Sequence, residues 1–131
     1  MVGYFGHGGT ETWGAESLLT GDDVRSLDNE ARLPVVLATC CLNGFFQRLS
    51  ERSLSESWLL APNGGAIAVW SSSDMTNPHT QAALSSALLS ALTEKPGARL
   101  GDSWLASQRS GTGEIRRTTI LLGDPTVRYE H

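Results

Sequence analysis

Apolar residues fall in short runs along the chain, and each run is bounded by glycine, proline or small polar residues. The runs Val2 to Phe5, Leu33 to Thr39, Ala66 to Trp70 and Thr118 to Leu122 are too short for buried helices, so they read as strands. Between the last two the period changes. Ala83, Leu84, Ala87, Leu88, Ala91 and Leu92 recur at helical spacing behind Asn77-Pro78, which predicts a helix opened by proline and closed by Pro96-Gly97. A second helix is expected through Leu100, Trp104 and Leu105 to Gln108. Two shorter ones are expected after caps at Thr20 and Ser53, the second running through Leu60. Residues 10–19 and the segment Ser71-Ser72-Ser73-Asp74 read as polar loops.

Strands that alternate with helices predict βαβ units, hence a three-layer α/β fold with a mainly parallel sheet and helices on both faces. A length of 131 residues suits one domain, taken as 1–131. The strand at Val2 is of the buried type yet has nothing ahead of it. An apolar parallel strand at an open edge invites pairing, so the chain is expected to be a partial domain. Its missing neighbours would come from an N-terminal half of the same domain or from a homodimer partner.

A formal net charge of -4 with dispersed Lys and Arg disfavours nucleic acid and anionic membranes as partners. No run reaches the length of a membrane helix, and the first ten residues lack the pattern of a signal peptide. The two cysteines, Cys40 and Cys41, are sequence neighbours, which a disulfide bridges only with strain, so both read as thiols.

Two of the strand candidates end in reactive side chains: His7 follows the first and Cys41 the second. If the strands are parallel, both residues leave the same carboxyl edge of the sheet, with the loop after the third strand beside them. The 34 residues between them accommodate one crossover, and neighbouring strands lie roughly 4.8 Å apart. A thiol of ordinary pKa, about 8.5, is mostly protonated at neutral pH, and an adjacent imidazole draws off its proton to make a nucleophile. Acyl transfer also needs donors for the developing oxyanion, and the amides of Gly8 and Cys41 are suitable. Taken singly, a buried cysteine is a small hydrophobe and a lone histidine a satisfied polar group; the pairing carries the signal. A flavodoxin-like phosphate binder would need a glycine-rich loop opening a helix, whereas Gly8-Gly9 leads into a long loop.

Gly6-His7-Gly8 followed by Glu11-Thr12-Trp13, then Cys40-Cys41-Leu42-Asn43-Gly44, then Gly123-Asp124-Pro125, resembles the gingipain-type cysteine peptidases of the caspase-like His/Cys group. The motifs stand in family order over nearly the whole chain and correspond to the later part of that catalytic domain. The resemblance implies a cysteine endopeptidase acting on polypeptides, with His7 as general base, Cys41 as nucleophile, Cys40 as its buried neighbour, and an oxyanion hole from the Gly8 and Cys41 amides. It implies that the loop Ser71 to Thr76 helps to form the pocket for the side chain before the cut bond. Asp74, as a carboxylate for Arg or Lys, and Ser73 would then belong to that pocket. Trp70 and Trp13 are candidate walls and Glu11 a candidate for orienting His7, although tryptophans in such runs more often belong to a core or rim and an acid such as Glu11 to a polar loop. No cofactor or metal site is expected, and His79 and His131 lack neighbouring ligand patterns. Structural calcium and a bacterial, exported or cell-surface parent enter only through the resemblance. The competing expectation is a caspase-like interaction module without catalysis.

Overall fold

The computed structural model describes residues 1–129. Its main sheet has the order β1-β4-β5-β6, formed by β1 (Val2–Phe5), β4 (Val35–Thr39), β5 (Ala68–Ser72) and β6 (Thr119–Gly123). The pairs β1–β4 and β4–β5 are parallel and β5–β6 is antiparallel. Every residue of β4 and β5 is buried, as expected for central strands covered on both faces.

Alternation along the strands divides the core in two. Val36, Ala38 and Val69 pack on one face against Val24 of α1 (Gly21–Arg25) and Leu54 and Trp58 of α2 (Leu54–Leu59). Val35, Leu37, Ala68 and Trp70 point to the other face. They meet Leu84, Leu88 and Leu92 of α3 (Pro78–Glu94), Leu100 of α4 (Leu100–Ser110) and Ile115 of α5 (Ile115–Thr118). Helices therefore cover both faces of a mostly parallel sheet, as the pattern of the sequence predicts.

Local chemistry places the helix starts. Thr20 and Ser53 each cap a helix and exchange reciprocal bonds with Asp23 and Glu56, satisfying amides that the first turn leaves unpaired. The Asn77 side chain accepts from the His79 amide at 2.9 Å, and Pro78 takes the first helical position. No described helix is long and apolar enough to cross a membrane.

Four differences from the sequence reading stand out beyond shifts of one or two residues at other element ends. Residues 10–19 contain a hairpin rather than only loop, with β2 (Thr12–Trp13) antiparallel to β3 (Leu19–Thr20). Its turn needs positive φ at Gly14 and Ser17, and Ser17 gives no glycine signal. The third strand runs two residues later than Ala66 to Trp70, because Ser71 and Ser72 pair with Ile120 and Thr119. These serines are buried, and Ser71 Oγ accepts from Ser55 Oγ at 2.8 Å, so their polarity hides a central strand. The second strand starts at Val35 and not Leu33, which is exposed. The turn of helix α5 had no apolar period to announce it.

Leu84 is 1% exposed between α3 and the sheet, whereas the side chain of Leu49 is fully exposed. Leu84→Ala should lower unfolding stability by about 2–5 kcal/mol, and Leu49→Ala by less than about 0.5 kcal/mol, read from urea midpoints at constant m-value.

Candidate active site

The parallel register sets the geometry. Phe5 lies opposite Thr39, and the Gly6 amide donates to the Thr39 carbonyl at 3.3 Å just past the strand ends. His7 follows Gly6 directly, and Cys41 lies two residues past Thr39. Both line one cavity of about 300 Å³ with Thr39, Thr76, Pro78 and Gln81. Two side chains 34 positions apart are thus delivered to one rim by a single crossover.

The loop carrying His7 is clamped through its backbone. Its carbonyl accepts from Tyr4 Oη at 2.7 Å and from the Gly14 amide at 2.8 Å. Burial is the first cause that pushes the Tyr4 phenol above its ordinary value, with Cys40 and Glu16 adding to it, so the hydroxyl remains a donor. The Tyr4 ring stacks on Trp13 with centroids 4.6 Å apart. Trp13 Nε1 donates to Asn43 Oδ1 at 2.5 Å, and Asn43 Nδ2 donates to the carbonyls of Gly9 at 2.6 Å and Thr12 at 3.2 Å. One buried carboxamide therefore ties the histidine hairpin to the turn after Cys41.

Gly8 fits where no other residue would. A Cβ there would lie 2.6 Å from Cys40 Sγ and 2.8 Å from the Cys41 carbonyl oxygen. Neither the Gly8 amide nor the Cys41 amide has a hydrogen-bond partner among the described residues. The antiparallel bridge of Gly8 to Trp13 accounts for the first: its bonds are carried by the flanking Gly9 and Gly14 amides instead.

Strand alternation separates the two thiols. Cys40 turns into the core, 1% exposed, where burial above all, and then the adjacent Cys41, pushes its pKa up from 9.0 to about 12. It stays a neutral thiol. Cys41 turns to the cavity, and Leu42, at a φ of 62°, reverses the chain behind it. That left-handed leucine is held by its amide bond to the Asp74 carbonyl at 3.3 Å. Cys41 Sγ accepts from the Thr76 amide at 3.4 Å and lies 3.5 Å from Thr76 Oγ1 and 3.7 Å from the Thr76 carbonyl oxygen. Thr76 Oγ1 donates to Gln81 Oε1 at 2.9 Å, and Gln81 Nε2 donates to the Cys40 carbonyl at 2.8 Å.

The structure brings only some of the sequence candidates together. His7, Gly8 and Cys41 converge. Trp70 does not wall the cavity: it is 1% exposed and packed under α3 and α4. Trp13 is likewise core, committed to Tyr4 and Asn43. Ser73 is buried and bound through Nα and Oγ to the Thr118 carbonyl, away from the thiol. Glu11 is exposed, its carboxylate makes no hydrogen bond or ion pair with any described residue, and its carbonyl serves the Gly21 amide. Asp74 is exposed and lines an adjoining cavity of about 360 Å³ with Glu114, Met75 and Thr76, so Thr76 stands between this cavity and the thiol. His79 is exposed at the start of α3, and His131 lies outside the described residues. No cluster of three or more His, Cys, Asp or Glu side chains suited to a metal occurs among the described residues.

Sequence reasoning missed Asn43, Thr76 and Gln81 as parts of this machinery. Gln81 carried a signal: it is a polar residue in register with Leu84, Leu88 and Leu92 on the buried face of α3. Asn43 sat inside the quoted motif, but nothing in its spacing shows what its carboxamide reaches.

The model of the peptidase family C25 matches residues 1–130. Among solved structures, the Arg-specific cysteine proteinase gingipain R (RgpB) superposes with a TM-score of 0.86 at 21% identity, over 97% of this chain and 32% of that one. The complex of Porphyromonas gingivalis RgpB pro- and mature domains gives 0.84 at 21% identity, over 95% and 32%. A third structure, described as a protease, gives 0.75 at 17% identity, over 96% and 34%. The chain spans about a third of the length of these solved chains. Comparison with curated proteins gives no match.

The separation of the thiols is measurable. Ellman's reagent should find one thiol in the native chain and two in guanidinium; Cys41→Ala should give none and one. Since the Cys40 thiol is held neutral when folded, its stabilisation is complete below pH 9 and is lost as pH climbs from 9 toward 12. Urea midpoints should fall over that window, and Cys40→Ala should flatten the fall.

Proposed function

The chain belongs to peptidase family C25, and from that premise we propose that it is a cysteine endopeptidase domain in which Cys41 and His7 form the catalytic dyad. The observation that carries this reading is the shared cavity into which the β1–β4 register delivers both residues. His7 takes the thiol proton. The thiolate attacks the scissile carbonyl carbon, and the protonated imidazole gives the proton to the leaving amine. Water then hydrolyses the thioester, with His7 as base again. The amides of Gly8 and Cys41, which have no partner among the described residues, are the donors available to the developing oxyanion that such a transition state needs. Cys40 cannot replace Cys41, because its thiol is buried and held neutral.

The adjoining cavity is lined by two carboxylates, Asp74 and Glu114, and by no cation. It suits a basic side chain on the polypeptide substrate. β1 stands at the edge of the sheet with Phe5 exposed beside it, an arrangement that takes a further strand from the same domain or a second copy.

Cys41→Ala should abolish both peptide turnover and labelling by a thiol-directed peptide probe; retained turnover refutes the dyad. Asp74→Asn should lower kcat/KM for peptides with Arg or Lys before the cut bond by about tenfold and leave those with neutral residues unchanged, corresponding to about 1.4 kcal/mol. Equal losses for both substrates would remove Asp74 from the specificity site. A chain whose Cys41 reacts like a free thiol and cleaves no peptide would be an interaction module instead.

A further inference from the structure

The hydrogens around Cys41 can be counted, and the count is informative. Gln81 Nε2 donates to the Cys40 carbonyl, which can only accept, so the amide orientation is fixed and Oε1 faces Thr76. Thr76 has one hydroxyl proton, and Gln81 Oε1 takes it at 2.9 Å. At the 3.5 Å contact between Thr76 Oγ1 and Cys41 Sγ, the S–H must therefore be the donor. In this arrangement the proton of the thiol faces the Thr76 hydroxyl and carbonyl oxygens.

Ionisation reverses what the sulfur needs. A thiolate has no proton to give, and the Thr76 carbonyl can only repel it. The Thr76 amide, 3.4 Å away, remains a donor. The hydroxyl becomes a second one if it turns away from Gln81, and a charge-assisted bond to the thiolate is stronger than the neutral bond it gives up.

We propose that Thr76 and Gln81 are positioning residues that set the ionisation of Cys41 through a two-position hydroxyl. With the sulfur protonated, Thr76 donates to Gln81 and accepts from the thiol; when the thiol proton passes to His7, Thr76 turns and donates to the thiolate. Gln81 restrains ionisation because it competes for the hydroxyl proton. This inference rests on Cys41 being the nucleophile. The titratable groups on the surrounding elements are His7 after β1, Cys40 after β4, and Asp74 and His79 flanking Thr76; all are retained in the variants below. Gln81 is 3% exposed and touches no reacting atom, so it acts only through Thr76 and the Cys40 carbonyl.

Opposite substitutions should move the thiol in opposite directions. The test is the pH dependence of Cys41 carboxamidomethylation by iodoacetamide in the full chain, followed by mass spectrometry, with folding checked by circular dichroism. Thr76→Val should raise the midpoint and slow labelling at pH 7 by about three- to tenfold, where tenfold is one pH unit. Thr76→Ser should restore the wild-type profile. Gln81→Met frees the hydroxyl and should lower the midpoint, speeding labelling by a similar factor. Thr76→Ala replaces the valine variant if that one fails to fold, with the same expected direction. An unmoved midpoint in the hydroxyl-free variant, or a shift of the same sign in the Gln81 variant, overturns the proposal. Peptide turnover is followed in the same samples. Opposite shifts without turnover in the wild type would overturn the peptidase reading and support the switch; turnover with unmoved profiles would overturn the switch alone.

Discussion

The carboxamide of Asn43 holds together two loops that have no covalent reason to meet. It is 1% exposed and makes three hydrogen bonds, one accepted from Trp13 and two donated to the Gly9 and Thr12 carbonyls. Each partner belongs to the hairpin that follows His7, while Asn43 itself lies two residues after Cys41. Buried polar groups left unpaired cost roughly 1–3 kcal/mol each, so the hairpin has one well-defined seat on the turn. The seat of the loop after His7 on the turn after Cys41 therefore depends on a polar network in the core.

Around that network the site is assembled from opposing demands. The residue after the histidine must leave room for Cys40 Sγ, which excludes a Cβ at position 8. The residue after Cys41 must reverse the chain, and Leu42 does so in a left-handed conformation that its amide bond to Asp74 helps to hold. Pairing parity sends one of two chemically identical thiols into hydrocarbon and the other into a cavity. Reactivity is thus assigned by geometry, because the low-dielectric side raises the pKa of whichever thiol it receives.

The loop after β5 serves two cavities at once. Thr76 contacts the sulfur on one side and lines the acidic cavity of Asp74 and Glu114 on the other. A side chain entering the acidic cavity would therefore meet the same threonine that contacts the Cys41 sulfur.

Period and punctuation in the sequence determined the layered α/β plan, the helix starts at Thr20, Ser53 and Asn77, and the convergence of His7 with Cys41, because these follow from local propensity and from the parity of parallel strands. They did not show that Ser71 and Ser72 are strand, since two serines look like a loop until β6 is seen beside them. Nor could they place Trp13 and Trp70: a tryptophan suits a core or a pocket wall by composition, and here the core claimed both. Only the tertiary structure decided that Asn43, Thr76 and Gln81 complete the site, because a hydrogen bond between residues 30 or 40 positions apart depends on distances that no local pattern encodes.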